Sequence, residues 1–148
     1  MRTILLVDDD QEVRTLIGSI LRRHQYYVIE ADSGVAGLEM ARKHLPDLIL
    51  SDIEMPGGDG EDLLRRIRRD PQLKSKQFVL MSGSPDLSTP GKGIEGVDDF
   101  LPKPVTFQKL LSCIKARISR VPVSRPVVEQ ILDPDPLFDV VFPGKYVS

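Results

Sequence analysis

Along the first hundred residues the apolar positions alternate between two patterns. Thr3–Val7 is a continuous apolar run, as expected of a central strand buried on both faces. From Gln11 to Arg23 the apolar residues Val13, Leu16, Ile17, Ile20 and Leu21 recur at helical spacing. Tyr27–Ala31 is a second short strand. Ser33 then reads as the N-cap of a helix reaching about His44, with Val35, Leu38 and Ala41 inward, and Pro46 ends it. Residues 48–51 form a third strand. A loop with Pro56, Gly57, Gly58 and Gly60 follows, then a helix over 62–69 closed by Pro71. Residues 78–81 and 98–101 are the fourth and fifth strands, and Thr106 caps a final helix to about Ser119. Strands and helices in strict alternation predict an α/β fold with a doubly wound sheet.

Two segments depart from this rhythm. A helix belongs between strands four and five, yet 84–96 contains Pro90, Gly91, Gly93 and Gly96. Each glycine costs ~1 kcal/mol and proline ~3 kcal/mol in a helix interior, so a short helix, an irregular loop or a mobile segment is expected. Gly91 to Gly96 also matches GxGxxG. It neither directly follows a strand nor opens a helical pattern, so it is not read as a nucleotide loop. After Arg120 the chain becomes rich in proline (Pro122, Pro126, Pro134, Pro136, Pro143). Val127, Val128, Ile131 and Leu132, then Leu137, Phe138, Val140, Val141 and Phe142, are too apolar for simple disorder and too few for a second domain. The division expected is a domain over 1–120 and an extension over 121–148. That extension is expected to dock on the domain's own surface near the last helix, or on another subunit or partner, against the alternative of Pro-rich disorder.

Composition narrows the function. A chain of 148 residues suffices for one hydrophobic core. Its net charge of −2 gives no overall basic field for nucleic acid or an anionic membrane. The one basic cluster, Arg65, Arg66, Arg68 and Arg69, lies opposite Leu63, Leu64 and Ile67 and reads as a solvated helix face, with a partner-docking patch as the alternative. Cys113 is the single cysteine, so no internal disulfide forms; its place in KLLSCIKARI suits a buried hydrophobe. His24 and His44 lack companion ligands and read as surface residues. With no signal-peptide pattern and no bilayer-length apolar run, the expected compartment is the cytoplasm.

The chemistry concentrates at strand ends. Asp8 and Asp9 close ILLVDD, Asp52 closes LILSD, and Lys103 lies in LPKP. Ligands of such sheets bind outside the carboxyl ends of the strands, so these residues should converge. Clustered carboxylates call for a cation, and oxygen ligands favour Mg²⁺. The lysine beside them suggests an anion, most simply a phosphoryl group.

The motifs ILLVDD, LILSDIEMPGGDG, VLMSG and DDFLPKP, in this order over about residues 1–120, resemble the receiver domain of two-component response regulators. The resemblance implies a flavodoxin-like five-stranded parallel sheet of order 2-1-3-4-5. It implies Asp52 as phosphoacceptor, taking a phosphoryl group from a histidine kinase or histidine phosphotransfer protein. Asp9, the Asp52 carboxylate and the Glu54 carbonyl would ligate Mg²⁺, with Asp8 assisting through water. Lys103 and the Ser82 hydroxyl would contact the phosphoryl oxygens, Ser82 and Phe100 would be the switch positions, and Pro104 would follow a cis peptide. Asp10 reads instead as a carboxylate in the first turn of a helix. The side chains of Glu54 and Ser84 would line the entrance and tune hydrolysis. The function implied is a switch acting through protein partners without nucleic acid or membrane contact. An intermediate carrier in a phosphorelay is the near alternative. A haloacid dehalogenase-type phosphatase is a distant one, because Asp8-Asp9-Asp10-Gln11-Glu12 lacks the Thr or Val of that family's DxDx[TV] pattern.

Overall fold

The computed structural model describes residues 1–56, 59–83 and 94–121. Their order is β1 (Thr3–Val7), α1 (Gln11–Arg23), β2 (Tyr27–Ala31), α2 (Gly34–His44), β3 (Leu48–Asp52), α3 (Gly60–Arg69), β4 (Gln77–Ser82), β5 (Asp99–Pro102) and α4 (Phe107–Ile118). The sheet is parallel throughout, in the order β2-β1-β3-β4-β5.

Strand parity divides the interior into two layers. Ile4, Leu6, Leu48, Leu50, Val79 and Met81 face one side, where α1 and α4 add Ile17, Ile20, Leu21, Leu110 and Ile114. Their neighbours Leu5, Val7, Ile49, Phe78 and Leu80 face the other, against Leu38 and Ala41 of α2 and Leu63, Leu64 and Ile67 of α3. Because both faces are covered, the strands are apolar at nearly every position rather than at alternate ones. Phe78 and the leucines of β1, β3 and β4 are fully buried, each contributing roughly 1.5–3 kcal/mol of transfer free energy.

The helix starts were set locally. Asp10, Ser33, Asp59 and Thr106 are N-caps, each with a side-chain oxygen accepting from a backbone N–H of the first turn. Asp10 thus sits one position before the first turn and serves as its cap. Helix α2 ends at His44 and is capped by Leu45, in the left-handed region with φ 48°, before Pro46.

Several expectations need correction. Leu16 and Val35 are exposed, at 58% and 65%, so the stripe that meets the sheet is narrower than the periodicity implies. Leu16 borders an open cleft of about 510 Å³ running along α1 to Phe107, and Val35 lies in the first turn of α2. Helix α3 begins earlier than expected, at Gly60. β3 reaches Asp52, β4 gains Gln77 and Ser82, and β5 runs one residue later, to Pro102. The expected helix within 84–96 and the extension beyond Val121 lie outside the described residues. Cys113 is buried as expected; burial foremost, with the charge and hydrogen bond of Asp99, pushes its thiol up to about 12. His24 closes α1 with a ring nitrogen 3.0 Å from the Ile20 carbonyl, and His44 is exposed.

The basic cluster is more than a solvated face. Arg65 and Arg66 pair with Glu61 and Asp62 on their own helix. Arg68 instead turns inward across the chain. It donates to the carbonyls of Gly96 (2.8 Å), Lys74 (2.9 Å) and Lys76 (2.7 Å) and to Asp98 Oδ2 (2.9 Å). Asp98 Oδ2 also accepts from the Phe78 N–H at 2.7 Å, so Arg68 ties α3 to the approaches of β4 and β5.

Candidate functional site

Register brings the candidate residues together. Val7 pairs with Ser51, so Asp8 and Asp52 leave adjacent strands side by side. Asp52 pairs with Met81, and Ser82 with Pro102. The Lys103 N–H donates to the Ser82 carbonyl at 2.8 Å, holding the start of the lysine loop beside the end of β4. The peptide between Lys103 and Pro104 is cis.

Asp8, Asp9 and Asp52 each offer a carboxylate oxygen, and these atoms lie within 4.8 Å of one another. Asp8 and Asp52 are buried, at 1% and 4% exposure, whereas Asp9 and Glu54 are exposed. Lys103 Nζ lies 3.0 Å from Asp52 Oδ1, and the Glu54 N–H donates to that same oxygen at 3.4 Å. Asp8 Oδ1 accepts from the Asp10 N–H at 2.9 Å, but Asp8 Oδ2 is buried without a hydrogen-bond partner among the described residues. A buried anionic oxygen without a donor is costly unless a cation answers it. Together with an all-oxygen donor set, this orphan fits a hard divalent ion such as Mg²⁺.

The electrostatics agree. Burial raises the Asp8 carboxyl, and the charges of Asp52 and Asp9 raise it further; the Asp10 N–H and Lys103 oppose them without prevailing. For Lys103, burial by itself lowers the pKa. The hydrogen bond and charge of Asp52, with Asp8 and Glu54, overcome it and leave the ammonium raised. Among the described residues the site is therefore an anionic pocket in which the Lys103 ammonium bonds to the buried Asp52 carboxylate.

Ser82 is buried at the end of β4, and Phe100 is half-buried on β5 against the α2–α3 layer. The structure thus gathers Asp8, Asp9, Asp52 and Lys103 at the edge where β4 ends in Ser82; Ser84 lies outside the described residues. Residues 4–115 match the family described as the response regulator receiver domain. The chain belongs to the response regulator receiver family. Among solved structures, this receiver domain is similar to the chemotaxis protein CheY4 of Vibrio cholerae. That likeness has a TM-score of 0.72 and 28% identity, covering 79% of this chain and 98% of that one. The response regulator TrrA of Thermotoga maritima, solved in complex with Mg²⁺-BeF, matches with a TM-score of 0.71 and 27% identity, covering 78% and 98%. The chain is 38% identical over 121 residues to the transcriptional regulatory protein AfsQ1 of Streptomyces coelicolor, covering 81% of this chain and 52% of that protein. It is 28% identical over 148 residues to the phosphate regulon transcriptional regulatory protein PhoB of Escherichia coli, covering 97% and 65%. The receiver chain spans about half to two thirds of these two relatives.

Two supporting residues escape the sequence pattern. Gly60 opens α3 so close to the end of β3 that a Cβ there would collide with the Asp52 carbonyl, and its N–H donates to the Ile53 carbonyl at 3.0 Å. The turn-residue signal points to this glycine, though not to its reason. Arg14, in the first turns of α1, donates to the Asp8 carbonyl at 2.6 Å. A basic residue near a helix N-terminus runs against the macrodipole, and that was the available hint.

Proposed function

We propose that the chain is a phosphorylation-controlled switch with Asp52 as its phosphoacceptor. The observation that carries this reading is the buried Asp52 carboxylate, bonded to Lys103 and clustered with Asp8 and Asp9. An Asp52 oxygen forms the new bond to phosphorus. The P–N bond of a phosphohistidine breaks, and the departing imidazole keeps the electron pair and takes up a proton. Lys103 balances the anionic phosphoryl oxygens, and the Ser82 hydroxyl donates to one of them. Asp9, Asp52 and the Glu54 carbonyl would hold Mg²⁺, with Asp8 assisting through water; the ion would supply charge neutralisation for the transfer. A carboxylate is a weak nucleophile, so catalysis here rests on positioning and charge.

In this reading the phosphodonor is a histidine kinase or histidine phosphotransfer protein. The receiver unit spans 1–120 and 121–148 is an extension. The switch is read through Ser82 and Phe100 by a protein partner, since a net charge of −2 offers no general basic field for nucleic acid. No helix among the described residues is long and apolar enough to cross a membrane, and we place the protein in the cytoplasm. Acyl phosphate chemistry serves a terminal switch and a relay intermediate alike.

Incubation with acetyl phosphate and Mg²⁺ tests the reading. One phosphoryl group per chain should be incorporated and then lost slowly. Repeated turnover of p-nitrophenyl phosphate would instead indicate a phosphatase.

A further inference from the structure

We infer that Arg14 is a positioning residue for the acidic cluster, holding the Asp8–Asp9 peptide so that both carboxylates face the cation they share. The inference rests on the functional reading above and adds a residue to it.

Three hydrogen bonds fix the chain where β1 ends. The Asp8 N–H donates to the Ala31 carbonyl at 3.1 Å, and the Asp10 N–H donates to Asp8 Oδ1 at 2.9 Å. The third runs from Arg14 Nη1 to the Asp8 carbonyl at 2.6 Å. That carbonyl belongs to the peptide joining Asp8 to Asp9, so its direction sets where both side chains begin. A charge-assisted donor on one side draws the carbonyl dipole to itself.

Arg14 is itself held. Its Nε lies 3.5 Å from Glu30 Oε1, with the arginine side chain 16% exposed. The other carboxylate oxygen of Glu30 accepts from Arg22 Nη2 at 3.0 Å, and that nitrogen lies 3.3 Å from the Val28 carbonyl. A Cβ on Gly18 would come within 3.0 Å of Arg22 Nη1, so the bare glycine leaves room for this pair. The network runs from β2 through Glu30 and Arg14 to the backbone of the acidic cluster. It borders an open cleft of about 300 Å³ lined by Arg14, Glu30, Ala31, Asp32, Ala36 and Met40. Truncating Arg14 therefore removes a bond at a cleft rather than opening a sealed void.

Groups that orient metal ligands typically change metal affinity about 10–100-fold when removed. Calorimetric titration with Mg²⁺ should show Arg14→Ala weakened roughly tenfold, at the low end of that range because Arg14 acts through the backbone. Arg14→Lys should recover part of the loss, since an ammonium can still donate to the carbonyl. Glu30→Gln should lose less than Arg14→Ala, because it frees the arginine without deleting it. Phosphorylation by acetyl phosphate should fall at limiting Mg²⁺ and recover at saturating Mg²⁺, a pattern that general loosening of the fold does not produce. Circular dichroism checks folding. If Arg14→Ala does not fold, Arg14→Lys and Glu30→Gln carry the test. Folded variants with the parent's Mg²⁺ dissociation constant overturn the inference. If the parent binds no Mg²⁺, or accepts phosphate elsewhere than Asp52, the functional reading fails as well. Parental behaviour in the variants alone removes only the role of Arg14.

Discussion

Lys103 Nζ lies 3.0 Å from Asp52 Oδ1, joining a lysine side chain 35% exposed to a carboxylate only 6% exposed. An ion pair between two solvated groups contributes little, but removing one partner of a buried charge strands the other. The raised Lys103 pKa fixes the sign of its pH dependence. The pair's contribution is complete below the ordinary lysine value of 10.5 and is lost only as pH rises through the higher folded value. Lys103→Met should cost about 1 kcal/mol at neutral pH, the upper end for a partly exposed pair. It should also slow phosphorylation by roughly 100-fold, as for loss of one donor to developing charge. Denaturant melts and acetyl phosphate kinetics check the two effects.

Asp8 behaves in the opposite sense. Its carboxyl is raised, so the fold holds that proton more tightly than the unfolded chain does, and ionisation costs native stability. The cost is absent below the ordinary value of 3.8, grows as pH rises from there, and is complete above the raised value. In EDTA at neutral pH, Asp8→Asn should therefore be more stable than the parent by on the order of 1 kcal/mol. The advantage should shrink on acidification and be reduced by Mg²⁺, which relieves the parent. A destabilised Asp8→Asn in EDTA at neutral pH would contradict the assignment.

Gly60 is constrained by the Asp52 carbonyl rather than by its own dihedrals. Gly60→Ala should cost about 1–3 kcal/mol as overpacking against backbone, and should lower phosphorylation by shifting the end of β3. Gly83→Ala, where a Cβ meets nothing within 4 Å among the described residues, is the control and should melt close to the parent.

Arg68→Ala should destabilise by about 2–3 kcal/mol, since it strips a charged donor from Asp98 and three carbonyls. The Phe78 amide, bonded to Asp98, should exchange faster. Arg69→Ala, on the exposed side of the same helix, should stay within about 0.5 kcal/mol.

The contrast between Arg68 and Arg69 marks what the sequence can and cannot carry. Strand runs such as ILLV and LILS are legible because burial on both faces leaves few polar positions. Caps such as Ser33 and Thr106 are legible because their chemistry is local. Asp8, Asp9, Asp52 and Lys103 are legible because each closes a strand, and parallel topology places such ends on one edge. The acceptors of Arg68 lie at 74, 76, 96 and 98, a set with no period, so only tertiary structure shows them. Leu16 and Val35 mislead for a related reason: periodicity gives a helix's apolar stripe but not how much of it another element covers.

Asp52 alone should accept the phosphoryl group. After acetyl phosphate and Mg²⁺ treatment, borohydride reduction converts a phosphorylated aspartate to homoserine, which peptide mass spectrometry can locate. Homoserine is expected at position 52 only, with no conversion in Asp52→Asn. Conversion at Asp8, Asp9 or another carboxylate in the parent, or persistent phosphorylation of Asp52→Asn, would contradict it.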